Sequence, residues 1–264
     1  MKIDLSGTTA FVTGSTSGIG HAIAKGLALA GADVIVNGRG QAKVDQAVAS
    51  LGKAATSAKV RGVAADVSTA EGCAALVKAV PKVDILINNT GIFEPKPFFD
   101  IPDEDWHRFF NVNVMSGVRL SRAYMPGMLE RNWGRIVFIA SESAIMIPKE
   151  MIHYGMTKTA QLSISRGLAE MTKGTAVTVN AVMPGPTMSE GVETFVKDLA
   201  KQNGQSVETA AAEFIRQHRP SSLIQRFASV DEIANMVVYV ASREASVTNG
   251  AALRAEGGLV PTIA

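Results

Sequence analysis

The chain has 264 residues, 47% of them hydrophobic and 19% charged, a globular composition at a size one large α/β domain accommodates. Its net charge of +2 is too small to suggest a polyanion-binding surface, and with no basic run no nucleic-acid partner is expected. No apolar run reaches the ~20 residues of a membrane helix, and the single cysteine, Cys73, excludes an internal disulfide or thiolate metal site.

The opening "MKIDLSGTTAFVTG" carries no leader pattern, so a cytoplasmic protein with no metal is expected. Cys73 reads as a buried structural thiol. Short β-rich runs then alternate with longer segments of helical period. Residues 8–13 precede a Gly-rich turn and "HAIAKGLALAGA". "DVIVN" (33–37) precedes "QAKVDQAVASLG", and "VRGVAAD" (60–66) precedes "AEGCAALVKAV". "VDILINN" (83–89), "GRIVFIAS" (134–141) and "AVTVNAVMP" (176–184) continue the series. Val/Ile/Ala runs of this length suit strands buried on both faces. Strict β–α alternation implies right-handed crossovers, hence a doubly wound parallel sheet of about seven strands with helices on both faces. No repeat or linker divides residues 1–264, so a single domain is expected.

Residues 186–222 break the rhythm with a polar, two-helix insertion. Ligands of open α/β sheets bind beyond the carboxyl ends of the strands, which makes this excursion a candidate substrate lid. An oligomer-facing or decorative insertion is the alternative.

The first strand runs into "TGSTSGIG", with Gly14, Gly18 and Gly20 before a helix and Ser17 and Ile19 between them. Such a turn lets a pyrophosphate approach the free N–H groups and dipole of the helix N-terminus. An NAD-type site usually places an acid at the end of the second strand. Here that end reads "VNGRG", and Asp33 only opens the strand. Arg39 suits a 2′-phosphate. NADP(H) is therefore favoured over NAD(H), with a solvated loop arginine as the bland reading. Asp66, beside Val67 at the end of the third strand, is placed to accept from an adenine amino group or to cap the following helix.

"TGSTSGIG", "NNTG" (88–91), the asparagine of "NVNVMSG", the serine of "IASES", "YGMTK" and "MPGPT" follow the order and spacing of the classical short-chain dehydrogenases/reductases. The resemblance runs from about residue 5 to 258. It implies a Rossmann-type fold, a carbonyl or alcohol substrate, and a homotetramer or dimer built partly from helices at 103–128 and 152–172. It also implies roles: Tyr154 the acid/base, Lys158 its activator, Ser141 a donor to the substrate oxygen, and Asn113 the holder of a relay water. Asn113 is taken over Asn111 because the family's asparagine lies about seven residues after a tryptophan such as Trp106. Asn88 and Gly91 would line the adenosine side, and Pro184, Gly185 and Thr187 the nicotinamide. Thr90, Ala140 and Glu256 stand where the family more often has alanine, serine and aspartate.

Elementary physics supports the central pair. Positions i and i+4 share a helix face, so Tyr154 and Lys158 point the same way. A cation ~4 Å from a forming phenolate contributes about 4 kcal/mol at an effective dielectric of ~20, enough to bring a phenol from ~10 towards neutrality. The expected reaction is hydride transfer between NADP(H) and a ketone or secondary alcohol, with a 3-oxoacyl thioester or another small-to-medium ketone as substrate. Operation as an NAD-dependent alcohol dehydrogenase, or as a non-catalytic cofactor-binding regulator, are the alternatives. Glu142, His153 and the group Phe93, Ile145, Met146, Met151, Met183 and Met188 border the substrate side ambiguously. Arg216, His218 and Arg219 either attract an acidic substrate or simply suit a helix C-terminus.

Overall fold

The computed structural model describes residues 3–263. Seven parallel strands form one sheet in the order β3-β2-β1-β4-β5-β6-β9. They are β1 (Thr9–Val12), β2 (Asp33–Gly38), β3 (Val60–Ala64), β4 (Ile85–Asn88), β5 (Gly134–Ile139), β6 (Val177–Pro184) and β9 (Ala252–Ala255). Strand order reverses between β1 and β4. Val12 pairs with Val36 on one side and with Ile87 on the other.

Alternation along each strand supplies both faces of the core. Ala10, Val12, Val34, Val36, Ile85 and Ile87 face α1 (Gly18–Leu29), α2 (Gln41–Ala54) and α9 (Val230–Val240). Phe11, Ile35, Leu86, Ile136 and Phe138 face α3 (Ala70–Ala79), α5 (Ser116–Glu130) and α6 (Ile152–Glu170). Cys73 lies buried in this second layer and donates to the Val67 carbonyl at 3.2 Å. The helix expected across 103–128 is α4 (Asp103–Phe110), a five-residue π turn at Asn111–Met115, then α5.

The 186–222 insertion holds α7 (Glu190–Asn203) and α8 (Val207–His218). They close on a small core of their own around Val196, Ala200 and Ala210. Gly204 ends α7 in the left-handed region, φ 64°, as a helix stop requires. Two-residue strands β7 (Thr187–Met188) and β8 (Ala228–Ser229) clasp the base of this hairpin.

Candidate active site

The carboxyl ends of β1, β4, β5 and β6 bring the sequence motifs together. At β1 the chain turns through Gly14 and Gly18 with φ of 60° and 57°, values that favour glycine. A Cβ on Gly20 would lie 2.4 Å from the Gly14 carbonyl oxygen, so the third glycine is required by close approach. Ser17 is the N-cap of α1 but makes no side-chain cap bond, which leaves an uncapped helix N-terminus with Ile19 in its first turn. That donor set fits a pyrophosphate. One of its donors is already engaged: the Gly18 N–H donates to Glu190 Oε2 at 2.8 Å, from the first turn of α7.

Two side chains that sequence reasoning passed over build this turn. Asn89 donates through Nδ2 to the carbonyls of Thr13 and Gly14, at 2.9 and 3.0 Å. Asn37 donates to the carbonyls of Val63 and Ala65, while Ser15 and Asn37 exchange bonds between the turn and β2. Neither had a signal beyond being a polar residue at the end of an apolar strand.

Arg39 follows β2 directly, is exposed, and has no ion pair or hydrogen bond among the described residues. Asp66 is also exposed. It is not the cap of α3: Thr69 takes that role, accepting from Gly72 N at 3.0 Å, while Asp66 Oδ1 accepts from Ser68 N at 2.9 Å. Val67 is buried, so any ligand contact from it must use the main chain.

Asn88 is buried, and its amide donates to Ser121 of α5 at 3.2 Å, into the helix layer. Gly91 lies at the chemical end: a Cβ there would stand 3.4 Å from Lys158 Nζ and 3.5 Å from Asn113 Oδ1. Thr90, in place of a smaller residue, has a buried hydroxyl without a partner. Pro184 closes β6. Gly185 is demanded by the main chain of Glu256, 2.8 Å from where its Cβ would be. Thr187 is buried and donates to the Gly185 carbonyl at 2.9 Å. Glu256 accepts from Arg254 at 2.6 Å and from Val260 N at 3.3 Å, tying the C-terminal segment to the end of β9.

Asn113 sits in the π turn, a local widening frequent at functional sites. Its side chain clamps Ile92, accepting from N at 2.8 Å and donating to O at 3.0 Å, and also donates to Thr157. Its main-chain carbonyl accepts from Gln161 Nε2 at 2.6 Å. Gln161 Oε1 in turn accepts from Lys158 Nζ at 3.2 Å, and Lys158 also donates to the Ile139 carbonyl at 2.9 Å. Gln161, 1% exposed, thus spans the gap between Asn113 and Lys158. Its place seven residues after Tyr154, on the same helix face, was the readable signal.

Tyr154 and Lys158 do share a face, with Lys158 Nζ 5.6 Å from the phenol ring centroid. Their electrostatics differ from the expectation. Burial is the main cause that pushes the phenol above its ordinary range, and the Glu142 charge adds to it; the Ser141 hydroxyl and Arg219 pull it down. Burial also lowers the Lys158 ammonium to about 8, against the opposing pull of Glu142. Lys158 Nζ is turned towards a carbonyl and an amide, and desolvation of the phenol opposes the lowering expected from the cation.

Ser141 begins the short helical turn Glu142–Ala144, accepts from Ser143 N at 3.1 Å and donates to Glu142 Oε2 at 2.5 Å. Glu142 Oε1 lies 3.5 Å from Arg219 Nε, and Glu150 lies 3.9 Å from Arg219 Nη1. Arg219 is therefore held by two carboxylates, which removes it as a free attractor of acidic substrates. His153 does not face the substrate side: it is fully buried against Phe109 and Trp106 with neither ring nitrogen partnered. Met183 belongs to the core, whereas Phe93, Ile145 and Met146 are exposed.

The chain matches the family model for short chain dehydrogenases over residues 8–200 and belongs to that family. The uncharacterized oxidoreductase YvaG of Bacillus subtilis is 54% identical over 263 residues, covering 100% of both chains. A D-beta-hydroxybutyrate dehydrogenase of Cupriavidus necator is 35% identical over 260 residues, 97% of this chain and 99% of that one. Among solved structures, the L-sorbose reductase of Gluconobacter frateurii, complexed with NADPH and L-sorbose, superposes with a TM-score of 0.93 at 34% identity over 100% of both chains. The protein is an oxidoreductase acting on CH–OH and C=O groups, with an NAD(P)-type cofactor. Among the described residues no helix is long and apolar enough to cross a membrane, and no cluster of metal-ligating side chains occurs.

Proposed function

We propose that the protein is an NADP(H)-dependent reductase of small-to-medium ketones. One observation carries the reading. Tyr154 shares a helix face with Lys158, whose Nζ lies 5.6 Å from the phenol ring, and has the Ser141 hydroxyl beside it. A protonated phenol is a general acid, the form that reduction needs.

In this reading Ser141 donates to the ketone oxygen and holds the developing alkoxide, while Tyr154 delivers the proton to that oxygen. NADPH, when bound, supplies the hydride that the carbonyl carbon accepts. The Lys158 ammonium, held by Gln161 and the Ile139 carbonyl, keeps a third N–H that suits a ribose hydroxyl. Gly14, Ser17, Gly18, Ile19 and Gly20 form the pyrophosphate seat, Arg39 the 2′-phosphate site, and Asp66 with Val67 the adenine edge. Pro184, Gly185 and Thr187 border the nicotinamide. The free Arg39, and the absence of an acid at the end of β2, favour NADP(H); the NADPH bound to the sorbose reductase structure is in keeping with this. The 186–222 hairpin serves as lid, and the protein works in the cytoplasm as a homo-oligomer, a tetramer or dimer.

A panel of ketones with NADPH tests the assignment, followed by Tyr154→Phe on each substrate turned over. Loss of kcat by ~10²–10⁴-fold with NADPH affinity retained is expected. A phenylalanine variant that stays active would remove the phenol from the chemistry.

A further inference from the structure

We propose that the substrate is an α-hydroxy ketone, and that Glu142 is the carboxylate that accepts from the hydroxyl next to the reacting carbonyl. The inference rests on the ketone-reductase reading above and goes beyond it by naming the substrate class.

Glu142 is an acid in a place where acids are costly. It is 6% exposed and directly follows Ser141. A buried carboxylate offers about four acceptor positions and is stable only when they are filled. Among the described residues Glu142 has one hydrogen bond, from the Ser141 hydroxyl, and one ion pair, to Arg219 at 3.5 Å, beyond good hydrogen-bond range. Arg219 is itself shared with Glu150. Oε2 has the Ser141 hydroxyl as its one donor among the described residues.

Ser141 cannot serve two acceptors. Its hydroxyl has a single proton, given to Glu142 Oε2 at 2.5 Å. To polarise a ketone oxygen it must turn that proton away, and Glu142 then loses its only hydrogen-bond donor at the moment the substrate binds. A simple alkyl ketone leaves the deficit in place. A hydroxyl on the adjacent carbon repairs it by donating to Oε2. Ser141 Oγ and Glu142 Oε2 are neighbours, so one bidentate fragment, carbonyl beside hydroxyl, meets both.

The same geometry disfavours another class. A 3-oxoacyl thioester carries only hydrogens on the carbons flanking its ketone and offers Glu142 no donor.

Hydroxyacetone and butanone are near-isosteres that differ by one hydroxyl against one methyl, which makes them the probe. With NADPH the wild-type protein should favour hydroxyacetone by about 10- to 100-fold in kcat/KM, because a site built around a substrate hydroxyl rejects the analogue lacking it. Glu142→Ala should bring the ratio to about one. Glu142→Gln, which keeps an acceptor oxygen, should retain part of it. Equal turnover of both ketones by the wild type, or a ratio unchanged in both variants, overturns this inference and leaves the reductase reading standing. A wild-type protein that reduces no ketone of a broad panel sinks the reductase reading itself, and this inference with it.

Discussion

Gln161 ties Lys158 to the opposite helix: its Oε1 accepts from Lys158 Nζ at 3.2 Å, and its Nε2 donates to the main-chain carbonyl of Asn113 at 2.6 Å. The π turn makes this contact available, because a widened turn opens main-chain carbonyls to donors from outside the helix ladder. The bridge spans Asn113 and Lys158.

Replacing Gln161 with leucine strands a buried carbonyl and loosens the ammonium. Each buried group left without a partner costs about 1–3 kcal/mol, so the melting temperature should fall and kcat should drop about tenfold. Gln161→Glu discriminates positioning from packing. A carboxylate beside Lys158 raises the lysine's pKa, so the alkaline limb of the pH–rate profile should move upward. A profile that stays in place would reduce Gln161 to a structural bond.

Lys158 itself has a measurable cost. Its pKa is lowered to about 8 by burial, while an unfolded lysine titrates near ~10.4. Between these values the unfolded chain binds more protons than the native one, so this group makes stability rise with pH across that window. Below about pH 8 its burial is wholly unfavourable. Lys158→Met should lose turnover, and because only the wild type gains this stability as pH rises, the variant's melting temperature relative to wild type should fall between pH 7 and pH 10. Thermal melts at the two pH values check this; a difference that does not change with pH would contradict it.

Arg39 should decide between the two dinucleotides. A charged hydrogen-bond partner contributes about 1.5–3 kcal/mol, so Arg39→Ala should weaken NADPH binding by roughly ten- to a hundredfold and leave NADH almost untouched. Fluorescence titration with both cofactors measures it. Equal losses for the two would mean that the guanidinium contacts something other than the 2′-phosphate.

The strands were legible because parallel strands buried on both faces need continuous β-branched runs, as in "DVIVN" and "GRIVFIAS". The site was legible where chemistry forces residue type and spacing together: Gly14, Gly18 and Gly20 at the turn, Tyr154 and Lys158 one helical turn apart. What escaped was set by tertiary position. The edge strand Ala252–Ala255, with its Arg254, has no apolar run to announce it. Asn37 and Asn89 act through bonds that a lone amide in a sequence does not advertise, and Gln161 was marked only by its place on the helix face of Tyr154. Thr69 took the cap that Asp66 was a candidate for, since the helix begins later than the strand's end suggests. The direction of the Tyr154 shift was misjudged for one reason: the sequence shows a cation four residues away but not the desolvation around it, and desolvation is the larger effect here.

The bond from the Gly18 amide to Glu190 has a consequence for how the two halves of the cleft communicate. One N–H cannot serve a carboxylate and a pyrophosphate at once, and the two anions repel. With the pyrophosphate in the proposed seat, the Glu190 carboxylate at the start of α7 would be displaced from the Gly18 amide, and by reciprocity its hold on that amide would weaken the dinucleotide. Glu190 is then a tethered rival of the cofactor. Neutralising it as Glu190→Gln should tighten NADPH binding severalfold, most visibly at low ionic strength, and an affinity left unchanged would show that the two never compete.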